Sequence, residues 1–150
     1  MTNHYMYSDE YFMGEALKLA QQAGEQGEIP VGAVVVCQNK IIAKGANQTE
    51  QLRDVTAHAE MIALTAASQY LGAKYLRNCT LYVSLEPCVM CAGAIFWAQV
   101  SRLVYGASDD KRGFSLVGMP LLHPKTQLAS GVLADEAQTL LHNFFKKLRT

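Results

Sequence analysis

Two short motifs carry the residue types that bind soft metal ions. Cys88 and Cys91 lie three positions apart in PCVMC, and His58 and Glu60 lie in TAHAE. Side chains at this spacing share one face of a helix, so both cysteines can point at one ion. A single Cys-x-x-Cys pair is also typical of a disulfide, a redox pair or half of a structural zinc site, and the cysteines by themselves do not decide between these.

The histidine motif favours a catalytic metal site. His58 and Glu60 fall near the start of a predicted helix, where two side chains that point about 200° apart can still reach one point in space. His58, Cys88 and Cys91 would then be three ligands, and the fourth position of a zinc ion would stay open for water. Because zinc lowers the pKa of such a water to about 7, Glu60 beside it is suited to general acid–base catalysis.

Helices and strands alternate along the chain after an initial hairpin, which favours a mixed sheet with helices on both faces. The pattern predicts a helix over residues 8–26 with Ser8 as N-cap, and a hairpin over 31–47. A second long helix is predicted over 56–71 with Thr56 as N-cap. The histidine motif would therefore open this second helix.

The second half of the chain predicts two further strands and two further helices. Residues 79–85 form a strand, and Pro87 starts the helix that carries both motif cysteines. RLVYGA at 102–107 is a fourth strand, which we expect to end at Gly106. The chain closes with an amphipathic helix whose apolar side chains face mainly inward, namely Leu140, Leu141, Phe144, Phe145 and Leu148.

Length and composition predict one globular domain spanning residues 1–150. The 13 Lys and Arg residues balance 13 Asp and Glu residues, so no strong global field attracts nucleic acid. The N-terminal sequence has no basic region followed by an apolar run, and no segment reaches the length of a membrane span. We therefore expect a cytoplasmic protein that has reduced thiols and no membrane partner.

The remaining cysteines and histidines are interpreted as structural. Cys37 and Cys79 are isolated within apolar strand segments, where free cysteine is often a small buried hydrophobe. His4, His123 and His142 each stand alone in the sequence, without a second ligand nearby. None of the five is expected to bind metal.

The paired motifs resemble a known family. HAE at 58–60 with PCVMC at 87–91 matches the signature of zinc nucleobase deaminases, H-x-E followed by P-C-x-x-C. EIPVGAVVV, SLEPCVMCAGA, VYGASD and GVLADE resemble more specifically the bacterial tRNA adenosine deaminases, over nearly the whole chain. The resemblance implies a cytidine-deaminase-like fold of class α/β, a three-layer α/β/α sandwich with a mixed, roughly five-stranded sheet.

The same resemblance implies a function. One Zn²⁺ per chain would be bound by His58, Cys88 and Cys91, and zinc-activated hydroxide would attack C6 of the wobble adenosine in a tRNA anticodon loop. Glu60 would shuttle protons, and the products would be inosine and ammonia. The family also implies a homodimer, with the CAGAIFWAQ helix as a candidate contact.

Further substrate contacts are implied by position in the family. Asn47 would hydrogen-bond the purine or its ribose, although a turn-capping role is an equally ordinary use of asparagine. Ile29, Pro30 and Val31 would form one wall of the base pocket.

A second set of implied contacts lies around the metal motifs and toward the C-terminus. The backbone of Ala59 and the turn at Glu86 would hold the base edge and the amine. Asp109 and Lys111 match a loop that meets RNA, and Phe145 matches a position near the flanking nucleotides.

Two rival functions stay open. The same zinc site could deaminate a free nucleobase or nucleoside of the guanine or cytosine type, or the chain could be a non-catalytic, zinc-containing interaction domain. Trp97 and the loop 113–127 differ from the usual tRNA deaminase pattern. Trp97 could offer a stacking face or pack at a subunit contact, where aromatic residues are enriched.

Overall fold

A computed structural model describes residues 7–149 of the chain, so His4 lies outside the described residues. The elements in chain order are α1 (Asp9–Glu25), β1 (Gly32–Cys37), β2 (Lys40–Ala46), α2 (Thr49–Leu52), α3 (Ala59–Leu71), β3 (Cys79–Leu85), α4 (Val89–Ala98), β4 (Arg102–Ala107), β5 (Gln127–Ser130) and α5 (Ala134–Leu148). A short 3₁₀ helix covers Phe114–Val117 between β4 and β5. Within the described range, no helix combines the length and apolar character needed to cross a membrane.

The sheet has five strands in the order β2-β1-β3-β4-β5. β1 is antiparallel to β2 and to β3, whereas β3, β4 and β5 run parallel to one another. The predicted mixed sheet of five strands is therefore confirmed. The sequence pattern located only four of these strands, because β5 is a four-residue edge strand without a buried residue.

Helices cover both faces of the sheet, which confirms the α/β/α sandwich. Successive residues of β1 point to opposite faces, as in any strand. Val35 packs in the cluster that includes side chains of α3 and α4, and Val34 packs in the cluster that includes side chains of α1. α5 packs on β4 and on α1. The layer of α3 and α4 thus lies across the sheet from the layer of α1 and α5.

α1 begins where the sequence predicts. The hydroxyl of Ser8 accepts a hydrogen bond from the Tyr11 N–H at 3.1 Å, which caps the helix. Asp9 then accepts two hydrogen bonds of 2.7 Å from the Arg102 guanidinium and one of 2.8 Å from the Tyr82 hydroxyl. The hydrogen bonds from Arg102 hold the pKa of Asp9 below its usual range. This half-buried carboxylate fixes the start of α1 to β3 and β4.

α3 begins later than the sequence predicts. Its N-cap is His58, and the prediction of Thr56 was wrong because the Thr56 N–H and hydroxyl both donate to Asp54 Oδ1, at 2.8 and 2.7 Å. β2 approaches α3 very closely at Gly45. A Cβ atom there would lie 2.3 Å from the Ala59 carbonyl oxygen, so only glycine lets the helix start sit this close to the sheet.

The later elements need smaller corrections. α4 begins at Val89, after Pro87 instead of at it, and Cys88 is its N-cap. β4 does not end at Gly106, because Ala107 still pairs with Leu85 of β3.

Burial decreases along α5 toward its C-terminal end. Ala137 is buried, whereas Phe145 is 41% exposed and Leu148 is 66% exposed. The expectation that these last two side chains face inward was therefore wrong.

Cys37 and Cys79 are not isolated. They are direct partners across the antiparallel β1–β3 pair, although both are free thiols. Burial, together with the neighbouring Cys37, raises the pKa of the Cys79 thiol to about 12. Cys79 is therefore a protonated, unreactive thiol at neutral pH.

Candidate active site

The structure brings the three expected metal ligands together. The ligand atoms of His58, Cys88 and Cys91 all lie within 4.8 Å of one another. His58 Nδ1 is 3.7 Å from Cys88 Sγ and 3.5 Å from Cys91 Sγ. Among residues 7–149, no other group of three or more His, Cys, Asp or Glu side chains is arranged to hold a metal ion.

Two helix starts position these ligands. His58 is the N-cap residue of α3, and Cys88 is the N-cap residue of α4. Both have extended backbone, and neither side chain caps its own helix, so both are turned toward the cluster instead. Cys91 follows in the first turn of α4, where its side chain is buried.

This donor set fits a zinc ion. Thiolates and imidazole are the ligands that zinc prefers. Tetrahedral coordination with Zn–S of about 2.3 Å and Zn–N of about 2.0–2.1 Å places sulfur and nitrogen about 3.5 Å apart. The two Nδ1–Sγ distances of 3.7 and 3.5 Å agree with that spacing.

The two thiols differ in how readily they ionise. A hydrogen bond from the Cys91 side chain lowers the pKa of Cys88 to about 5, and the neighbouring His58 acts in the same direction. The same hydrogen bond, together with burial, raises the pKa of Cys91.

Glu60 lies in the first turn of α3, beside the cluster. Its side chain is buried, with 4% of its surface exposed, and its carboxyl group interacts with Cys91. Burial raises the pKa of Glu60 above its ordinary value. A carboxyl group with a raised pKa holds a proton more readily than an exposed one, which suits a group that must accept and donate a proton.

Asn47 and the expected pocket wall are joined by hydrogen bonds. The Asn47 side-chain Nδ2 donates to the Ile29 carbonyl at 3.3 Å, and the Asn47 backbone N–H donates to the Val31 carbonyl at 3.1 Å. Pro30, which lies between Ile29 and Val31 in the sequence, is buried, whereas Ile29 is 38% exposed. Asn47 Oδ1 is buried and has no hydrogen-bond partner, and it is the one such side-chain atom within residues 7–149. A buried acceptor of this kind calls for a donor that the protein does not supply.

The Glu86 side chain holds the loop that follows β4. Its carboxylate is buried and accepts hydrogen bonds from the backbone N–H groups of Asp109, at 3.0 Å, and Ser115, at 2.9 Å. Its backbone N–H donates to the Ala107 carbonyl at 2.8 Å, so the expected substrate contact at this turn falls to the remaining backbone groups of Glu86 and Pro87. Asp109 Oδ1 in turn accepts from the N–H groups of Lys111 and Arg112, and the Lys111 side chain is exposed.

Two other expected contacts lie at different distances from the cluster in the fold. Ala59 is the first residue of α3, between His58 and Glu60 in sequence, and is fully buried. Phe145 is on α5, in the layer across the sheet from α3 and α4, and stacks edge to face with Phe144. The structure does not bring Phe145 to the cluster.

One buried carboxylate near the pocket wall was missed by the sequence interpretation. Glu28 is 1% exposed, and it accepts hydrogen bonds from the N–H groups of Glu50, at 3.1 Å, and Gln51, at 2.8 Å. It caps the four-residue helix α2, for which the sequence has no periodic pattern. A glutamate before a strand does not indicate a capping role in the sequence unless the helix that it caps is also predicted.

Comparison with known proteins identifies the class. Residues 6–107 match the sequence profile of the cytidine and deoxycytidylate deaminase zinc-binding region, and the chain belongs to this family. More particularly, it is 43% identical to the tRNA-specific adenosine deaminase of Aquifex aeolicus, over 93% of this chain and 95% of that protein.

Solved structures agree with this placement. One from work on A-to-I editing by tRNA:A34 deaminases at the wobble position of transfer RNA has a TM-score of 0.82 and 42% identity, over 87% of this chain and 99% of that chain. A guanine deaminase from Nitrosomonas europaea is also similar, with a TM-score of 0.78 and 29% identity, over 91% of this chain and 84% of that chain.

Proposed function

We propose that this protein is a zinc-dependent hydrolase that deaminates the wobble adenosine of a tRNA anticodon loop to inosine, with release of ammonia. The observation that carries this proposal is the His58, Cys88 and Cys91 cluster with buried Glu60 beside it. The chain that contains the cluster is 43% identical to a tRNA-specific adenosine deaminase over most of both lengths.

The roles of the site residues follow from their chemistry. His58, Cys88 and Cys91 would hold one zinc ion per chain, and the bound ion would supply a Lewis acid that lowers the pKa of water. The Glu60 carboxylate takes a proton from the attacking water and delivers it to the base. It then takes the second proton of that water, now on the new C6 hydroxyl group, and passes it to the leaving amine. Its burial and raised pKa suit this exchange, because the group must change protonation state within one turnover.

The base pocket is assigned to residues outside the ligand cluster, in the segment before β1 and at the end of β2. Asn47 Oδ1 accepts a hydrogen bond from the base or ribose, which would satisfy this buried atom. Ile29, Pro30 and Val31 form the wall, and the backbone of Ala59 and Glu86 holds the base edge and the amine. An unpaired loop adenosine suits such a pocket because little energy is needed to flip it out of the stack.

RNA outside the pocket is assigned to more exposed residues. Asp109 and Lys111 belong to the loop assigned to meet the RNA, and Phe145, which is 41% exposed, offers a ring to a flanking base. Such stacking contributes about 1–3 kcal/mol per base. These few contacts are compatible with a chain whose formal net charge is zero, because the target is a single loop.

A free-base deaminase of the guanine type is the second candidate. It is favoured by the similarity to the Nitrosomonas europaea guanine deaminase, although that identity is 29% against 43% for the tRNA enzyme. A non-catalytic zinc domain is the third, and it gives no role to a buried acid beside three metal ligands.

One experiment separates these functions. Zinc-loaded protein is incubated with an anticodon stem-loop that has adenosine at position 34, and in parallel with free adenosine, cytosine and guanine. We expect inosine at position 34, detected by sequencing and by nucleoside mass spectrometry, and no turnover of the free bases. A stem-loop with guanosine at position 34 is the matched control. Turnover of a free base without reaction of the RNA contradicts the proposal, and no turnover of any substrate favours the third candidate.

We also propose a homodimer. Large apolar side chains are exposed on α4, namely Val89, Met90 and Trp97, and in residues 116–119 after β4, namely Leu116, Val117 and Met119. A second copy would cover the side chains on α4, of which Trp97 is 74% exposed. Sedimentation should show a dimer that Trp97→Glu dissociates. Leu148→Glu, at a similarly exposed position on α5, should leave the dimer intact, and a monomeric wild-type protein contradicts the assignment.

We place this activity in the cytoplasm. Both cysteine ligands must stay reduced to bind metal, and a reducing compartment keeps them so. Fractionation of cells that express the protein at its native level tests this placement.

A further inference from the structure

We infer that Glu86 is a positioning residue that holds the Asp109 loop, defined here as residues 108–115, against the turn that ends in Cys88; this inference rests on the function proposed above. The two carboxylate oxygens of Glu86 bind opposite ends of the loop. Oε1 accepts from the Asp109 N–H at 3.0 Å, and Oε2 accepts from the Ser115 N–H at 2.9 Å. A single side chain therefore closes the loop at both ends.

The backbone beside this carboxylate reinforces the attachment. The Glu86 N–H donates to the Ala107 carbonyl at 2.8 Å, and the Phe114 N–H donates to the Pro87 carbonyl at 2.9 Å. Four hydrogen bonds thus connect the Glu86–Pro87 dipeptide to residues 107–115. The next residue along the chain is Cys88, so the dipeptide that holds the loop directly precedes a metal ligand.

The space around the carboxylate is matched to a glycine in the loop. Gly113 is buried, and a Cβ atom there would lie 2.3 Å from Cδ of Glu86 and 2.4 Å from each of its oxygens. Atoms at these distances overlap, so the Glu86 side chain and a larger residue at 113 exclude each other. Glu86 and Gly113 therefore act as one fitted pair.

The hydrogen bonds of Glu86 also position the loop residues that are assigned to contact RNA. Glu86 fixes the backbone of Asp109, and the Asp109 side chain accepts from the N–H groups of Lys111 and Arg112, both at 3.0 Å. The exposed Lys111 thus stands on a turn whose backbone is set by two successive carboxylates. Removal of Glu86 would leave two part-buried N–H donors without their acceptor, and the loop would move to let water replace it.

Glu86→Ala tests the inference by two measurements, local hydrogen exchange and steady-state kinetics. A general loss of structure would affect every region and both kinetic constants, whereas loss of the loop attachment would not. Hydrogen exchange should become faster by at least about tenfold at residues 108–115 and stay unchanged in α1, because the two hydrogen bonds from the loop to the Glu86 carboxylate are lost. KM for the anticodon stem-loop should rise by about tenfold, with a smaller change in kcat, because binding contacts are lost and the proton shuttle is not. Zinc content should stay at the wild-type level.

Glu28→Ala is the matched control. Glu28 is as buried as Glu86 and accepts the same number of backbone N–H groups, but from the segment that begins α2. Its removal should speed exchange at residues 49–52 and leave residues 108–115 protected. Should Glu86→Ala fail to fold, Glu86→Gln keeps the side-chain volume and one acceptor, and the same exchange pattern is expected.

Gly113→Ala completes a double-mutant cycle. In the wild type it should loosen the loop as Glu86→Ala does, whereas in the Glu86→Ala background it should have little further effect, because the clashing carboxylate is gone. Independent, additive effects on loop exchange would overturn the inference, as would unchanged exchange at residues 108–115. An equal fall in kcat and zinc content without a rise in KM would also overturn it. If the wild type forms no inosine in RNA, the proposed function fails, while the exchange measurements still decide the role of Glu86.

Discussion

Three buried glutamates lie near the candidate active site, and they differ in what their carboxylates contact. Glu28 and Glu86 are 1% and 3% exposed, and each accepts hydrogen bonds from two backbone N–H groups of a neighbouring loop. Glu60 is 4% exposed, but it faces Cys91 and the ligand cluster. Equal burial of the same residue type therefore accompanies two different uses.

The difference shows which observation identifies a catalytic acid. A buried carboxylate needs hydrogen bonds or charge partners, and backbone N–H groups supply them without any chemistry. A buried carboxylate that is placed against metal ligands, with a pKa raised by burial, is a candidate for proton transfer. The partners, and not the burial, separate the catalytic region from the two loop anchors.

The largest expected effect belongs to Glu60. Glu60→Gln keeps the shape of the side chain but removes the proton carrier, so kcat for inosine formation should fall by about 10²–10⁴-fold. Zinc content, measured by plasma mass spectrometry, should be unchanged. Activity within a few fold of the wild type would place Glu60 with the structural glutamates and break the contrast.

Loss of a metal ligand should have the next largest effect. In Cys88→Ser a hard oxygen replaces a thiolate, so zinc affinity should fall by more than about 100-fold, beyond the loss caused by removal of a second-shell partner. Competition with a chromogenic chelator measures this affinity. Cys37→Ser is the control, because Cys37 is a free, half-buried thiol outside the cluster. Full zinc occupancy in Cys88→Ser would contradict the ligand assignment.

A loop anchor should affect stability instead of chemistry. Glu28→Ala should lower the free energy of unfolding by about 1–3 kcal/mol, because two N–H groups at the start of α2 lose their acceptor. Urea denaturation measures the change, and Glu50→Ala is a control on an exposed residue of the same segment. A strong fall in kcat with unchanged stability would show that Glu28 belongs with Glu60.

The smallest expected effect concerns Asp9, a half-buried acid whose ion pair with Arg102 contrasts with the buried glutamates. The pKa of Asp9 is lowered by Arg102, so Asp9 stabilises the fold above its unfolded-state pKa near 4, and this stabilisation is lost as the pH falls through the lower folded-state value. Asp9→Asn should therefore reduce stability by about 1 kcal/mol at pH 7. The difference should shrink below about pH 4. Melting curves between pH 3 and 7 measure it, and a difference that grows on acidification would contradict the assignment.

The sequence predicts the elements that have strong periodic patterns. The Ser8 cap, the hairpin, β3 and the helix with both motif cysteines were all predictable, because apolar spacing and turn residues act locally. β5 and α2 were not predictable, since one is a four-residue edge strand and the other is held by Glu28 from a distant position. Threonine is a common N-cap residue, which favours Thr56 in the sequence, but the Thr56 N–H and hydroxyl groups both donate to the Asp54 carboxylate.

For the site, residue types and spacing predicted which side chains meet, but not what surrounds them. The convergence of two helix starts followed from the two motifs and was confirmed by the 3.5 and 3.7 Å contacts of His58. The unpartnered Asn47 Oδ1, the carboxylate of Glu86 in its loop and the cross-strand pair of Cys37 with Cys79 depend on contacts between distant segments. No local pattern contains such contacts.

The two helix starts at the metal site imply a trade-off between activity and stability. α1 has a serine at its N-cap, whereas α3 and α4 have His58 and Cys88, which do not cap their helices. A good capping residue contributes about 0.5–2 kcal/mol, and each of these helices forgoes that amount for a ligand. Cys88→Ser should thus make the zinc-free protein more stable than the zinc-free wild type. Stability by itself would favour capping residues at both positions, and the ligand role excludes them.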